Sequence, residues 1–164
     1  MAPMAHSSSS SSSRKQAYFG EQLVVRGLIT RPILEYALEK QRSSGKRLGE
    51  VLVEGFYLSE IQLACLLAEH FKLEFVDVAE LALTPELLNL IPESMARKHM
   101  VLPLGKSGKT LDVVMVDPGD LEGLSDLAFA SGAKIAPRIG TRSQILEAID
   151  RFYARHMEIG RAHV

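Results

Sequence analysis

Phe19–Gln41 reads FGEQLVVRGLITRPILEYALEKQ, and Leu48–His70 reads LGEVLVEGFYLSEIQLACLLAEH. An offset of 29 residues aligns them. Phe19 then meets Leu48, Gly20 meets Gly49, Glu21 meets Glu50, and Leu23 and Val24 meet Leu52 and Val53. Ile29 meets Leu58, Thr30 meets Ser59, Leu34 meets Leu63, and Leu38 meets Leu67. Two unrelated amphipathic helices could share the leucines by chance. The paired glycines and paired helix caps are not explained that way, so the chain opens with two copies of one unit.

Each copy reads as a short helix, a turn and a longer helix. Thr30 and Ser59 are N-cap residues whose oxygens meet otherwise unpaired helix N–H groups. Ser59 with Gln62 has the spacing of a capping box. Leu34, Leu38 and Gln41 fall at i, i+4 and i+7 on one face of the second helix, and Leu63, Leu67 and His70 repeat that face. Each apolar stripe therefore ends in a polar residue, which either reaches solvent at a helix end or meets a ligand. Gly20 and Gly49 fall early in the first helix of each copy, where glycine costs up to about 1 kcal/mol against alanine. That cost points to a close approach to the backbone, by a packing neighbour or by a ligand. The joint Arg42-Ser43-Ser44-Gly45-Lys46-Arg47 carries three positive charges and no negative one. It reads as a solvated basic loop. With two helix N-termini expected beside it, it also suits a phosphate-bearing ligand.

The second half is built differently. LPLGKSGKTLDVV, Leu102–Val114, contains Gly105-Lys106-Ser107-Gly108-Lys109-Thr110, which looks like the phosphate loop of an ATPase. The first glycine of that signature would fall on Pro103, which has no N–H and a fixed φ. Leu111–Val116 is apolar and β-branched, a strand where the signature needs a helix. A hairpin fits better, with strands Val101–Leu104 and Leu111–Val116 and a turn over Gly105–Lys109. Around it, Leu73–Val78 reads as a strand, Thr84-Pro85-Glu86 starts a helix, and a short helix near Pro92 carries ESMARKH. VDPGDLEGLSDLAFASG gives a turn and a helix ending at Gly132. AKIAPRIG is a strand that Pro137 marks as an edge. Thr141 and Gln144 form a capping box for a last helix through His156.

The composition sets bounds. In 164 residues, 46% are hydrophobic, enough for a core, and the net charge is −1, with no basic field for nucleic acid. The single cysteine, Cys65, lies in an apolar helical stretch and reads as a core thiol; disulfides and a cysteine metal site are excluded by count. No apolar run reaches the length of a membrane span, and the N-terminus lacks the apolar core of a secretory signal, so the chain reads as cytoplasmic. Residues 1–17, with serines from Ser7 to Ser13 and the lone His6, read as a disordered tail. Residues 157–164 break the last helical pattern and read as a non-native, adapter-derived tail beyond which the natural protein continues.

No catalytic or metal constellation emerges. His70, His99 and His156 are far apart, with no second ligand at metal spacing. Asp117, Asp120, Glu122 and Asp126 read as a turn and a helix start rather than a calcium loop. Ser107 lacks a nucleophile-elbow context.

The tandem motif RLGEVLVEGFYLSEIQLACLLAEH, the joint RSSGK and the preceding copy resemble the N-terminal domain of type II secretion and type IV pilus assembly ATPases. This is the general secretory pathway protein E N-terminal domain. Its cyclic di-GMP-binding version is named after the mannose-sensitive haemagglutinin pilus ATPase. FVDV, LNLIPESMARKHMVLPLG and LDVVMVDPGDLEGLSDL agree with it, and the resemblance covers Tyr18 to Tyr153. In the binding version each copy reads Arg-Leu-Gly, then spaced Leu, Gly and Leu, ending in Gln. The second copy here keeps Arg47, Leu48, Gly49, Leu52, Leu58, Leu63 and Leu67, with Phe56 where the inner glycine belongs, Gly55 one place early, and His70 for the final Gln. The first keeps Gly20, Leu23, Gly27, Ile29, Leu34, Leu38 and Gln41, with Tyr18 for the Arg and Phe19 for the Leu. One arginine and one terminal glutamine thus stand where the pattern has two of each.

The resemblance implies an α+β fold: a tandem helical repeat of helix-turn-helix units over 18–72, then a small sheet with packed helices over 73–156. It implies a non-catalytic domain of a motor whose ATPase domain lies downstream. Its role would be regulatory docking of that motor onto an inner-membrane platform protein, placing it in the cytoplasm, peripherally at the membrane. The alternative is a cyclic di-GMP sensor, alone or fused to another output. There Tyr18, Gln41, Arg47 and His70 would meet the ligand, Gly20, Gly27 and Gly49 would admit it, and the leucines would hold the bases. No metal or obligatory cofactor is expected.

Overall fold

The computed structural model describes the backbone of residues 7–162 and the side chains of 14–154. The order is α1 (Ser7–Val25), α2 (Arg31–Ser44), α3 (Leu48–Glu54), α4 (Glu60–Phe71), a 3-10 turn (Val78–Glu80), α5 (Pro85–Leu88), α6 (Glu93–His99), β1 (Val101–Ser107), β2 (Thr110–Met115), α7 (Leu121–Ser131), β3 (Lys134–Ile139) and α8 (Arg142–Ala162). This is the α+β fold expected from the sequence. The chain divides into two compact units, Met1–Leu63 and Ala64–Val164. The division falls within α4, ahead of the expected boundary at Lys72.

The first unit holds α1, α2, α3 and the start of α4. Its buried apolar residues include Phe19, Leu23, Ile29, Leu34, Ala37, Leu48, Val51, Leu52, Leu58 and Leu63. They are the aligned apolar positions of the two copies and their neighbours. The first helix is not short: α1 runs back to Ser7, through residues expected to be disordered, and residues 1–6 lie outside the described ones. Serine is a middling helix former, and no Gly or Pro interrupts Ser7–Phe19, so a helix held by its C-terminal half can extend. Cys65, expected in the core, is exposed.

The second unit is a three-stranded sheet of order β1-β2-β3 with helices around it. β1 and β2 pair antiparallel, from Val101 opposite Met115 to Ser107 opposite Thr110, with a register shift between Pro103 and Gly105. The hairpin is therefore longer and tighter than read from the sequence: Gly105 to Ser107 are strand, and Gly108-Lys109 alone make the turn, Gly108 at φ +60°. Thr110 leads into β2, so the segment is not a phosphate loop. β2 and β3 pair parallel, joined by α7. Pro103 and Pro137 lie on the two outer strands, where a missing N–H costs least. Val101, Leu102, Leu111, Val113, Val114, Met115, Leu127, Ile145 and Ile149 form the centre of the core.

Three local readings change. Leu73–Val78 is no strand but a single parallel bridge, Phe75 to Ile139. Asp77 then accepts a hydrogen bond from Ala79 N and turns the chain into the 3-10 turn. The Thr141–Gln144 capping box does not close: Thr141 Oγ1 and Gln144 Oε1 are buried and neither meets a partner. Packing sets the entry to α8 instead, since a β-carbon on Gly140 would lie 2.8 Å from Val114 and 3.1 Å from Val78. Finally, α8 continues through the expected non-native tail to Ala162, with 163–164 outside the described residues. Gly160 costs only about 1 kcal/mol within a helix, too little by itself to end it.

Candidate functional site

The two copies share one local geometry. In the first, Gly27 N bonds to Val24 O and Leu28 N to Leu23 O; in the second, Phe56 N bonds to Val53 O and Tyr57 N to Leu52 O, all at 3.0 Å. These paired bonds are Schellman motifs, and each needs a left-handed residue after the helix. Gly27 at φ +74° and Phe56 at φ +63° occupy that position. Gly55 has φ −81°, so it does not take over the role that the pattern gives to a glycine at 56. The next helix is then capped. Thr30 Oγ1 accepts from Ile33 N at 3.4 Å. Ser59 and Gln62 close the expected capping box with bonds of 3.1 and 2.9 Å.

Gly20 and Gly49 are closely packed. A β-carbon on Gly20 would collide with Leu34 Cδ1 and lie 3.1 Å from Leu48. One on Gly49 would lie 2.7 Å from Leu63 Cδ1. The close approach to each backbone thus comes from the aligned leucine of the same copy. Leu23, Leu34, Leu48, Leu52, Leu58 and Leu63 are all buried. Tyr18 and Gly27 are exposed, and Leu38, Gln41 and Arg47 are half-buried. These five are the predicted residues of the first unit that reach solvent. Leu67, buried, and half-buried His70 lie on the part of α4 that belongs to the second unit.

The joint leaves α2 through Gly45 at φ +74° and enters α3 at Leu48, so it adjoins one helix N-terminus and one C-terminus, not two N-termini. Lys46 Nζ reaches Glu54 at 2.9 Å. Arg31 forks onto both carboxylate oxygens of Glu21 at 3.0 and 2.9 Å, tying α2 to α1. The hydrogen bond from Arg31 and its charge hold the Glu21 carboxyl below its ordinary value. Gln16, which the sequence did not single out, accepts from Leu48 N at 3.0 Å and also from Gln41 Nε2.

The second unit holds a cluster that the sequence left scattered. The His99 ring, 5% exposed, sits between two carboxylates. Nδ1 is 3.2 Å from Asp120 Oδ2 and Nε2 is 3.0 Å from Asp126 Oδ2. Asp120 also caps α7 by accepting from Gly123 N at 3.0 Å. Acidic residues were read only as a helix start, because nothing local signals that His99 folds back onto them. Among the described residues no group of three His, Cys, Asp or Glu is placed to hold a metal ion. Among the described residues, no helix is long and apolar enough to cross a membrane.

A family model described as the MshEN domain matches residues 71–159. The type IV pilus assembly ATPase PilB of Myxococcus xanthus is 33% identical over 135 residues, 82% of this chain. The chain spans about a quarter of that relative's length, 24%. The solved structure of MshE with cdg is 33% identical at a TM-score of 0.69, over 82% of this chain and 98% of that one. The N-terminal domain of XpsE gives the same TM-score, 0.69, at 22% identity over 85% of this chain and 94% of that one, a likeness of fold.

Proposed function

This chain belongs to the MshEN domain family, and on that premise we propose that it is the N-terminal regulatory and docking domain of a type II secretion or type IV pilus assembly ATPase. In this reading it couples the motor to an inner-membrane platform protein from the cytoplasmic side. The observation that carries it is the alignment with PilB, of which this chain matches 24%. A non-catalytic role agrees with the hairpin at Gly105–Thr110, which offers no helix N-terminus to a phosphate. The test is direct binding between this chain and the cytoplasmic part of an inner-membrane platform protein of a type II secretion or type IV pilus machine, measured by calorimetry. A saturable 1:1 complex supports docking; no heat, with the fold verified by circular dichroism, removes it.

One observation favours a second reading, a cyclic di-GMP sensor: MshE, 33% identical, was solved with cdg. Within the first unit, Tyr18, Gln41 and Arg47 reach solvent and carry the ring, amide and guanidinium that a guanine base would meet. The packing of Gly20 and Gly49 against leucines gives those two a structural role, so the case rests on the polar residues. Titration of cyclic di-GMP into this chain and into Arg47→Ala decides it. Micromolar affinity lost in the variant supports the sensor; no heat in either removes it.

A further inference from the structure

The Leu48 backbone N–H can only donate, so the atom 3.0 Å from it on Gln16 must be the carbonyl oxygen, Oε1. The Gln41 amide meets the same oxygen, so Gln41 must present its Nε2 there. A fixed backbone donor therefore sets the orientation of two side-chain amides in sequence. Gln41 is left with its own Oε1, an acceptor, on the side away from Gln16. The three groups come from α1, α2 and the start of α3, and both side chains are half-buried. Without Gln16, the amide of Gln41 could turn over and offer a donor instead.

We propose that Gln16 is a positioning residue that holds Gln41 as a hydrogen-bond acceptor and so selects a base edge rich in donors. Guanine presents N1–H and N2–H2 side by side. Adenine presents an acceptor, N1, beside one donor group. The proposal rests on the cyclic di-GMP reading and adds to it a determinant of base choice on α1, outside both repeat copies. Gln16→Glu keeps an acceptor oxygen for Leu48 N and Gln41 Nε2, whereas Gln16→Leu keeps the bulk and removes it.

The experiment titrates cyclic di-GMP and cyclic di-AMP into the full chain, Gln16→Leu and Gln16→Glu, with circular dichroism as the check on folding. Hydrogen exchange of the Leu48 amide is followed in each. The expected result is a preference for cyclic di-GMP in the unaltered chain. Gln16→Leu should weaken that ligand about tenfold, the size of one lost hydrogen bond, leave cyclic di-AMP nearly unchanged, and speed Leu48 exchange. Gln16→Glu should restore both affinity and protection. Unaltered affinity and selectivity in Gln16→Leu would overturn the positioning role while leaving the sensor reading standing. So would a Gln16→Glu variant as impaired as Gln16→Leu. Failure of the unaltered chain to bind either dinucleotide would overturn the sensor reading, and this proposal with it.

Discussion

Gly49 lies so close to Leu63 that a β-carbon on the glycine would sit 2.7 Å from the leucine Cδ1 and 3.0 Å from Cδ2. Both residues are buried, so Leu63 has little room to turn away. Two effects oppose each other in Gly49→Ala. Alanine is the better helix former by about 1 kcal/mol, and overpacking costs about 1–3 kcal/mol. The clash should win, with Gly49→Ala less stable by about 1–2 kcal/mol in urea denaturation. Adding Leu63→Ala should recover part of the clash, so that the double variant is less destabilised than the sum of the two single ones. A Gly49→Ala protein more stable than the parent would show that the contact yields freely.

Phe56 makes the opposite case. It holds a left-handed conformation at φ +63° and is 95% exposed. A left-handed backbone costs an L-residue about 1–2 kcal/mol, and so exposed a ring returns little by packing. Phe56→Gly should therefore stabilise the protein by about 1 kcal/mol, although glycine also loosens the unfolded chain. At Gly27, φ +74°, the aligned substitution Gly27→Ala should destabilise by a similar amount. Thermal melts of the two variants should move in opposite directions; a drop in both would mean that Phe56 makes contacts worth more than its strain.

The repeat was legible because its signals are local. Thr30, Ser59 and Gln62 cap helices within three residues of themselves, and the 29-residue offset aligned Gly20 with Gly49. What each glycine faces was not legible, since Leu34 and Leu63 touch them only after the helices fold together. The hairpin was read from Pro103 and the β-branched run after Thr110, but its length was not, because the turn shrank to Gly108-Lys109. Gln16 was missed: it was assigned to a serine-rich tail, and its partners Gln41 and Leu48 are 25 and 32 residues away. The pairing of His99 with Asp120 and Asp126 was missed for the same reason, spanning 21 and 27 residues.

Tyr153 gives a pH dependence with a definite sign. Its buried hydroxyl donates to Ile91 O at 2.6 Å, joining α8 to the α5–α6 connection. Burial first, then the nearby Glu93 charge, push the phenol well above its ordinary value of 10. The folded state thus favours the neutral phenol. That contribution is fully present below pH 10 and is lost as pH rises from there through the folded-state pKa. Tyr153→Phe should cost about 1–2 kcal/mol at pH 7, because the Ile91 carbonyl loses its donor. The same variant should show a flatter fall in stability above pH 10. Parallel alkaline limbs in the two proteins would show that another group drives the loss.

His99 joins the C-terminal end of α6 to α7 through both ring nitrogens, at 3.2 Å to Asp120 and 3.0 Å to Asp126. Its ring is 5% exposed, so water cannot replace it without opening the contact. A ring N–H donating to a carboxylate contributes about 1.5–3 kcal/mol net. His99→Ala removes these contacts and the ring, and should destabilise the second unit by about 2–4 kcal/mol. Asp126→Asn keeps an acceptor oxygen and the shape, and should cost under half as much. Asp120→Asn keeps an oxygen for the Gly123 N–H bond as well, so α7 should stay capped. Urea denaturation ranks the three variants, and hydrogen exchange of the α7 amides locates the loss. If His99→Ala costs no more than Asp126→Asn, the ring is filling space and the two carboxylates do not hold it.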